Sequence, residues 1–235
     1  MDVAVSHSIL DAVSRGEMGE VLRLHVPGPV VAFGRSDRAT PGYRHAVRAA
    51  EAHGFDAVER LAGGRAAVFH PQTLAFSWAV PDPEPRKRTM TRFEITSSLM
   101  ADAFRTLGVD ARVGEIPGEY CPGEFSVNIA GKFKVMGVGQ RVVSRAAHIG
   151  GVVVIDDALR IRDVLIPVYR ALDLDWDPRT AGALADRASG VDAHDVTKAI
   201  IESFSTRFDL ETGTLPDNVI SAASSLISDH LPEVA

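Results

Sequence analysis

Apolar residues recur along the chain with two different periods, which predict both helices and strands. Spacings of three and four residues predict amphipathic helices at 3–13, 91–108, 161–173 and 192–208, with another after Asp37. Short apolar or alternating runs predict strands at 21–26, 30–33, 74–80, 109–113, 125–129 and 152–155. This interleaving favours an α+β fold with a mixed, largely antiparallel sheet flanked by helices. We expect one domain over residues 1–235, with 210–235 as a helical tail.

The stretch 119–140 contains the only cysteine of the chain, Cys121, on a turn formed by Pro122 and Gly123. Proline biases the residue before it toward an extended backbone, and a thiol at such a strand end can project into a cleft. Beyond the turn, apolar and polar residues alternate as far as Ile129, after which Ala130-Gly131 suits a hairpin turn. The cysteine is therefore expected at the start of a hairpin.

A lysine lies on the strand that returns from this hairpin. Strand alternation puts Lys134 on the face opposite Phe133 and Val135. Gly137 and Gly139 leave little side-chain bulk beside it, and glycines within a strand often mark the close approach of a ligand or of another backbone. We expect Lys134 to point along a surface with little side-chain bulk beside it.

Nucleophilic chemistry at Cys121 requires help from its surroundings. A free thiol has a pKa of about 8.5 and is mostly protonated at neutral pH, so a reactive cysteine needs a nearby cation or a helix N-terminus. Lys134 is the candidate for that cation. A lone cysteine is also often a small buried hydrophobe, and a strand lysine is often merely solvated. The residues alone leave these alternatives open.

Glycine pairs, histidines and one basic run are further candidates for function. Gly63 and Gly64 allow backbone amides to approach a ligand carbonyl or phosphate, although an ordinary loop explains them as well. His70 ends a predicted strand. His148 stands in a predicted turn at 145–151, where it serves either as a base or as a structural residue. The basic run 86–88 is either a solvated loop or a docking surface for an acidic carrier domain.

Composition and charge narrow the classes of function. The net charge is −6 and no long basic stretch offsets it, which argues against nucleic acid as the main partner. A single cysteine excludes an internal disulfide. No apolar run approaches the roughly 18 residues that span a membrane, and Asp2, His7 and Asp11 interrupt the segment where a signal peptide needs an apolar core. We expect a cytoplasmic protein with no metal site and no membrane partner.

The residues around Cys121 resemble the cysteine-bearing branch of the biotin/lipoate protein ligase superfamily, whose members move an octanoyl group between lipoyl-carrier proteins. Residues 120–123 are similar to the Tyr-Cys-Pro-Gly turn of the amidotransferase that takes octanoate from the glycine cleavage H protein. The Gly-Lys-Lys-x-x-Gly-x-x-Gln run of that enzyme resembles residues 131–140, with Phe133 interposed.

A second motif supports the same resemblance. Arg60, Gly63 and Gly64 look like the Arg-x-x-Gly-Gly motif that lines the acyl tunnel in the superfamily. The ligases that use ATP carry a third glycine and, after the histidine, an aspartate, where this chain has Arg65 and Pro71. The substrate-binding residues that the resemblance implies are Arg60, Gly63, Gly64, His70, Gly137, Gln140, Gly150 and Gly151, the last two in a glycine-rich bend opposite the lysine.

The resemblance implies the biotin/lipoate ligase catalytic-domain fold, which is similar to that of class II synthetases. It also implies an acyltransferase in which Cys121 forms a thioester and Lys134 contacts the acyl carbonyl. The octanoyl or lipoyl group would pass between lipoyl-domain or H-protein carriers without a cofactor. Two alternatives stay open. One is a lipoate or octanoate ligase that needs ATP and Mg, with Cys121 incidental, and the other is a non-catalytic protein that binds an acyl group or a lipoyl domain.

Overall fold

The computed structural model describes residues 1–233 and contains two β-sheets that face each other. The large sheet is antiparallel throughout, and its strands in spatial order are β1 Val21–His25, β5 Thr73–Pro81, β9 Ala146–Val154, β8 Phe133–Val142, β7 Val127–Ile129 and β6 Ala111–Val113. The small sheet has β2 Val30–Phe33 in its centre, parallel to β3 Asp56–Glu59 and antiparallel to β4 Ala67–Phe69. The predicted mixed, largely antiparallel α+β fold is confirmed.

Helices pack against the sheets in three groups. The α-helices are α1 Asp2–Arg15, α2 Arg35–Arg38, α3 Tyr43–Ala52, α4 Thr89–Thr106, α5 Ala158–Ala171, α6 Ala193–Ser205 and α7 Asp217–Ser225. α4 and α6 cover the large sheet, α3 and α5 cover the small sheet, and α1 packs with α7 over one end of β5 and β9.

Apolar burial between these layers fixes the positions of the strands. Trp78, Phe104 and Phe204 are among the buried residues between the large sheet and its helices, and Phe33 lies under α3 and α5. Each such side chain contributes roughly 1.5–3 kcal/mol when it leaves water. The packing therefore fixes the positions of the large and small sheets. The residues that face the space between the two sheets can form a binding site.

Most predicted elements are present, and one turn is wrong. The helix predicted from residue 91 begins two residues earlier, at Thr89, and the tail contains α7, although residues 234–235 of the predicted tail lie outside the described residues. The turn predicted at 145–151 is strand β9, because Gly150 and Gly151 pair in register with Ser77 and Phe76. The one-domain organisation stays a prediction.

A β-bulge shifts the alternation of side chains on β8. The pairs Asn128–Lys134 and Val127–Met136 leave Val135 as an extra residue, so the register shifts between Val127 and Asn128. Val135 and Met136 are consequently both buried in the core. The bulge occurs one residue after Lys134, and it ends the strict alternation that the sequence predicts there.

Candidate functional site

Cys121 lies in a backbone conformation that its sequence does not predict. Its φ is 44°, in the left-handed region, where the residue before Pro122 was expected to be extended. Hydrogen bonds hold it there, because its N–H donates to the Tyr169 hydroxyl (2.8 Å), which itself donates to the carbonyl of Ala66 (3.1 Å). The side chain is half-buried. The thiol is thus neither sealed in the core nor free in solvent.

The sulfur of Cys121 contacts the loop that carries the glycine pair. The backbone N–H of Arg65 donates to Sγ at 3.2 Å, and Nη1 of Arg60 lies 3.8 Å from Sγ. Gly64 has a φ of 115°, and a Cβ at this position would lie 2.9 Å from Sγ. The structure therefore brings three predicted residues, Arg60, Gly64 and Cys121, into one contact group, and Gly63 precedes Gly64 in the same loop.

Lys134 contacts the backbone of this group, and the alternative of a solvated strand lysine is wrong. Its side chain is 1% exposed. The ammonium donates to the carbonyls of Tyr120 (2.9 Å) and Cys121 (2.7 Å) and to Glu119 Oε1 (2.8 Å). Because these acceptors use its three protons, Lys134 stabilises the peptide of Cys121, and the cation that contacts the sulfur is Arg60.

Glu119 is a site residue that sequence reasoning missed. Its carboxylate is fully buried and accepts hydrogen bonds from Ser126 Oγ (2.6 Å), the N–H of Gly123 (3.2 Å) and the N–H of Ile116 (3.1 Å), in addition to Lys134. A buried carboxylate requires such partners. The acidic residue two positions before the cysteine was the available signal, but a glutamate in a turn is more often solvated.

Close packing on β8 requires a glycine at position 139, whereas a Cβ at Gly137 would meet its neighbours at ordinary contact distances. A Cβ at Gly137 would lie 3.4 Å from Cε of Lys134. A Cβ at Gly139 would lie 2.6 Å from the carbonyl oxygen of Gly63 and 2.9 Å from Nη2 of Arg60. The glycine loop therefore rests directly on β8, where the N–H of Gly63 also donates to the carbonyl of Gln140 (3.4 Å).

Two predicted site residues do not reach this group. Gln140 contributes its backbone, but its side chain lies on the opposite face of β8, where it accepts from Arg92 (2.8 Å) and donates to the carbonyl of Thr89 (3.1 Å). His70 is buried in the turn after β4, where Nδ1 accepts from the N–H of Gln72 (3.2 Å). Burial lowers the pKa of His70. Its position supports the turn, not the site.

A cavity of about 150 Å³ lies between the two sheets, beside the glycine loop. Its apolar walls include Val30, Ala32, Val58, Phe69, Ala75 and Phe76, together with Gly150 and Gly151. Arg60, Leu61 and Ala62 line the end that leads to the loop. Cys121 does not itself line the cavity, and Arg60, which lines the cavity and contacts the thiol, connects the two.

Gly150 and Gly151 lie within strand β9, and the bend predicted for them is wrong. A Cβ at Gly151 would lie 1.9 Å from the carbonyl oxygen of Gly137, and one at Gly150 would lie 2.6 Å from Nε2 of His148. These glycines are required because neighbouring groups approach the strand closely. His148 is buried on the cavity wall, and burial, with smaller contributions from Arg60 and His7, lowers its pKa to about 3.

Arg65 replaces the third glycine of the ligase motif without disturbing the loop. Its guanidinium pairs with the buried carboxylate of Asp37 (3.3 Å), which also accepts from the N–H of Gly34 (2.8 Å). Burial raises the pKa of Asp37, and the bonds to Gly34 and Arg65 oppose this shift. The side chain of Arg65 thus turns away from the thiol while its backbone N–H contacts it.

Two kinds of feature are absent from residues 1–233. No group of three or more His, Cys, Asp or Glu side chains is arranged to hold a metal ion there. Within the same residues, no helix has the length and apolar character needed to cross a membrane.

Comparison with sequences of known proteins finds relatives that are named as octanoyl- or lipoyltransferases. The chain is 31% identical over 140 residues to an octanoyl-[GcvH]:protein N-octanoyltransferase of Geobacillus kaustophilus, covering 60% of this chain and 49% of the relative. It is 26% identical over 166 residues to a lipoyl-[GcvH]:protein N-lipoyltransferase of Listeria monocytogenes, covering 66% and 59%. The chain thus spans about half the length of the curated relatives it matches.

Comparison with solved structures supports the fold. A lipoate-protein ligase A crystallised with ATP superposes with a TM-score of 0.78 at 19% identity, covering 96% of this chain and 88% of that one. A bipartite lipoate protein ligase from Thermoplasma acidophilum gives 0.70 at 20% identity, covering 96% and 87%. The sequence model of the family described as lipoyl protein ligase A/B catalytic domain matches residues 1–205. The chain therefore belongs to the lipoyl protein ligase A/B catalytic domain family.

Proposed function

We propose that the protein moves an octanoyl, or a lipoyl, group between carrier proteins through a thioester on Cys121. The observation that carries this proposal is the position of the half-buried sulfur, which lies 3.2 Å from a backbone nitrogen and 3.8 Å from the guanidinium of Arg60, a residue that also lines an apolar cavity. The names of the relatives, which include octanoyl-[GcvH] and lipoyl-[GcvH] transferases, support the same acyl groups and an H-protein donor.

The chemistry proceeds in two displacements. The Cys121 thiolate attacks the carbonyl carbon of an octanoyl amide on the donor carrier, a C–S bond forms, the C–N bond breaks, and the departing lysine amine takes a proton. A lysine amine of the acceptor lipoyl domain then attacks the thioester, a C–N bond forms, and Cys121 leaves as thiolate while the amine releases a proton. The acyl group is neither oxidised nor reduced, and the exchange requires no ATP or Mg.

The surrounding residues have distinct roles in this proposal. Arg60 and the Arg65 N–H stabilise negative charge on the sulfur, because charge-assisted donors favour an anion. Lys134 fixes the carbonyl of Cys121 in the free protein. When acyl substrate is bound, Lys134 exchanges this carbonyl contact for the acyl oxygen, where it stabilises the oxyanion that develops during attack.

Transfer between two purified carriers tests the proposal. The protein is mixed, without ATP, with an octanoylated H protein and an unmodified lipoyl domain, and intact masses are followed. We expect octanoyl mass to appear first on the protein and then on the lipoyl domain, and Cys121→Ala to abolish both. Transfer that survives Cys121→Ala would overturn the thioester route.

The same purified proteins distinguish the transferase from its two alternatives, an ATP-dependent ligase and a non-catalytic binding protein. A ligase would release pyrophosphate when octanoate and ATP are added, and a non-catalytic binding protein would hold an acyl group or carrier without turnover. Either result would replace the transferase assignment. A cytoplasmic location, with which the single cysteine is compatible because it forms no internal disulfide, belongs to the same proposal.

A further inference from the structure

The segments at the two ends of the described chain form one wall of the cavity. Residues 1–4 and Ser6, from α1 and its start, line the cavity together with Ile227, His230 and Leu231, which follow α7. The family match covers residues 1–205. The part of the wall made by residues 227–231 therefore comes from a segment that lies beyond the matched residues.

The N-terminal part of this wall lies away from the thiol. The glycine loop rests on Gly139 of β8, and the cavity crosses β9 and β5 before it reaches His25 on β1. Three strand spacings, or about 14 Å, separate β8 from β1. Asp2, at the start of α1, pairs with Arg23 of β1 (2.6 Å), which places the N-terminal part of the wall at that far edge. The C-terminal part is joined to α1 through the contact between His230 and His7. An acyl chain that enters beside Cys121 meets this wall with its methyl end.

Hydrogen bonds attach the C-terminal segment to the remainder of the protein. His230 is 8% exposed, and its Nδ1 lies 2.9 Å from the carbonyl oxygen of Glu59 on β3. Its Nε2 lies 3.0 Å from Nδ1 of His7 on α1. Ser8 of α1 also donates to the carbonyl of Val219 (2.8 Å), which attaches α7, the helix that precedes the segment, to α1. The segment is thereby attached both to β3 and to α1. These contacts fix its position in the wall of the cavity.

The cavity has little spare room. Its volume of about 150 Å³ is below the roughly 300–1,000 Å³ typical of small-molecule pockets, and suits one slender chain. Of the three residues from the C-terminal segment, Ile227 contributes an apolar side chain that also packs against α1. A change in its size would lengthen or shorten the space available to the chain without touching the glycine loop or Cys121.

We propose that the segment 227–231 is the end stop of the acyl cavity and sets the length of the acyl chain that the protein accepts. This inference rests on the proposed function, because it assumes that the cavity holds the acyl chain. It assigns a specificity role to Ile227, a residue that contacts neither the thiol nor the carrier lysine.

Binding of free fatty acids tests the end stop separately from acyl transfer. Saturated acids of six to fourteen carbons are titrated by calorimetry into the full chain carrying Cys121→Ala, so that no thioester can form. Ile227→Ala is expected to move the optimum to longer chains, with affinity for a chain two carbons longer rising about fifteenfold, because each buried methylene contributes about fourfold. Ile227→Trp is expected to move it to shorter chains.

A matched variant controls for general effects on the tail. Ile220 lies on α7, is 39% exposed and does not line the cavity, so Ile220→Ala should leave the chain-length profile unchanged. Circular dichroism confirms that each variant is folded. If Ile227→Ala and Ile227→Trp both retain the parental profile while folded, or if no fatty acid binds the parent, the end stop is overturned. A shifted profile supports it even if Cys121 proves not to carry an acyl group.

Discussion

At the scale of residues, the thiol depends on groups supplied by a loop distant in sequence. Arg60 and Arg65 lie 61 and 56 positions before Cys121, yet their Nη1 and N–H are the two donors that reach Sγ. The lysine that the sequence places closer, Lys134, instead binds the backbone of the cysteine. Reactivity of the thiol should therefore respond to Arg60 more directly than to Lys134.

Arg60→Gln is expected to slow the reaction of Cys121 with iodoacetamide at pH 7 by about tenfold, because the glutamine removes a positive charge 3.8 Å from the sulfur. Labelling rates followed by intact mass measure the effect. Arg145→Gln, at an exposed position between β8 and β9, should react at the parental rate. An unchanged rate in Arg60→Gln would show that this guanidinium does not activate the thiol.

Replacement of Glu119 tests the buried pair beneath the site. Glu119→Gln leaves the ammonium of Lys134 buried without a counterion, and loss of one partner of such a pair costs about 3–5 kcal/mol. Urea unfolding should show this loss in the free energy of unfolding. The double variant Glu119→Gln with Lys134→Met should recover part of it, because no unpaired charge remains. Additive losses would contradict the pairing.

At the scale of elements, the glycine loop and strand β8 act as one unit. Gly139 admits the carbonyl of Gly63 and the guanidinium of Arg60, and Gly64 admits the sulfur. The loop can approach the thiol only because β8 lacks side chains beneath it. The geometry of the site thus depends on glycines from two elements that pack face to face.

The two adjacent loop glycines should respond very differently to alanine. At Gly64 the φ of 115° is strained for alanine, and the new Cβ would lie 2.9 Å from both Sγ of Cys121 and Nη1 of Arg60. At Gly63 no heavy atom lies within 4 Å of the added Cβ. We expect Gly64→Ala to lower the rate of Cys121 acylation at least tenfold and Gly63→Ala to change it less than twofold. Equal rates for the two variants would contradict the contact.

Much of this arrangement could be predicted from sequence, and the remainder depended on tertiary contacts. The spacing of apolar residues, together with the residues typical of turns, predicted most of the helices and strands. It also predicted the hairpin turn at Ala130-Gly131, where both φ values are positive. The motifs identified Cys121, Arg60 and the glycine pairs. The partners of Lys134 could not be predicted, because burial of Glu119 depends on how the chain 114–126 folds over β8. The conformation of Cys121 likewise requires Tyr169, which lies on a helix far along the chain.

At the scale of the whole molecule, the facing sheets bury histidines whose charged forms the fold does not accommodate. Burial, with Arg23 as a smaller cause and Asp2 opposing, lowers the pKa of His25 to about 4. Burial also lowers the pKa of His148 to about 3 and that of His230. These residues surround the cavity, so its walls are most stable when the imidazoles are neutral.

Acid should therefore destabilise the protein before its carboxylates titrate. Below an unfolded-state pKa of about 6.5, the unfolded chain binds protons that the folded chain excludes, so stability falls with falling pH by about 1.4 kcal/mol per pH unit for each such histidine. For His148 the loss extends down to about pH 3. Urea unfolding between pH 7.5 and 5 measures it. His148→Gln should reduce the slope, and a slope equal to that of the parent would contradict the assignment.

The proposed transfer requires that an acyl group on Cys121 be an intermediate and not a dead end. A single-turnover chase tests this most directly: the protein is acylated by an octanoylated H protein, separated from it, and mixed with an unmodified lipoyl domain in the absence of ATP. We predict that the octanoyl mass leaves Cys121 and appears in equal amount on the lysine of the lipoyl domain. An acyl-enzyme that forms but remains unchanged, or that is only hydrolysed, while the lipoyl domain gains no mass, would contradict the account.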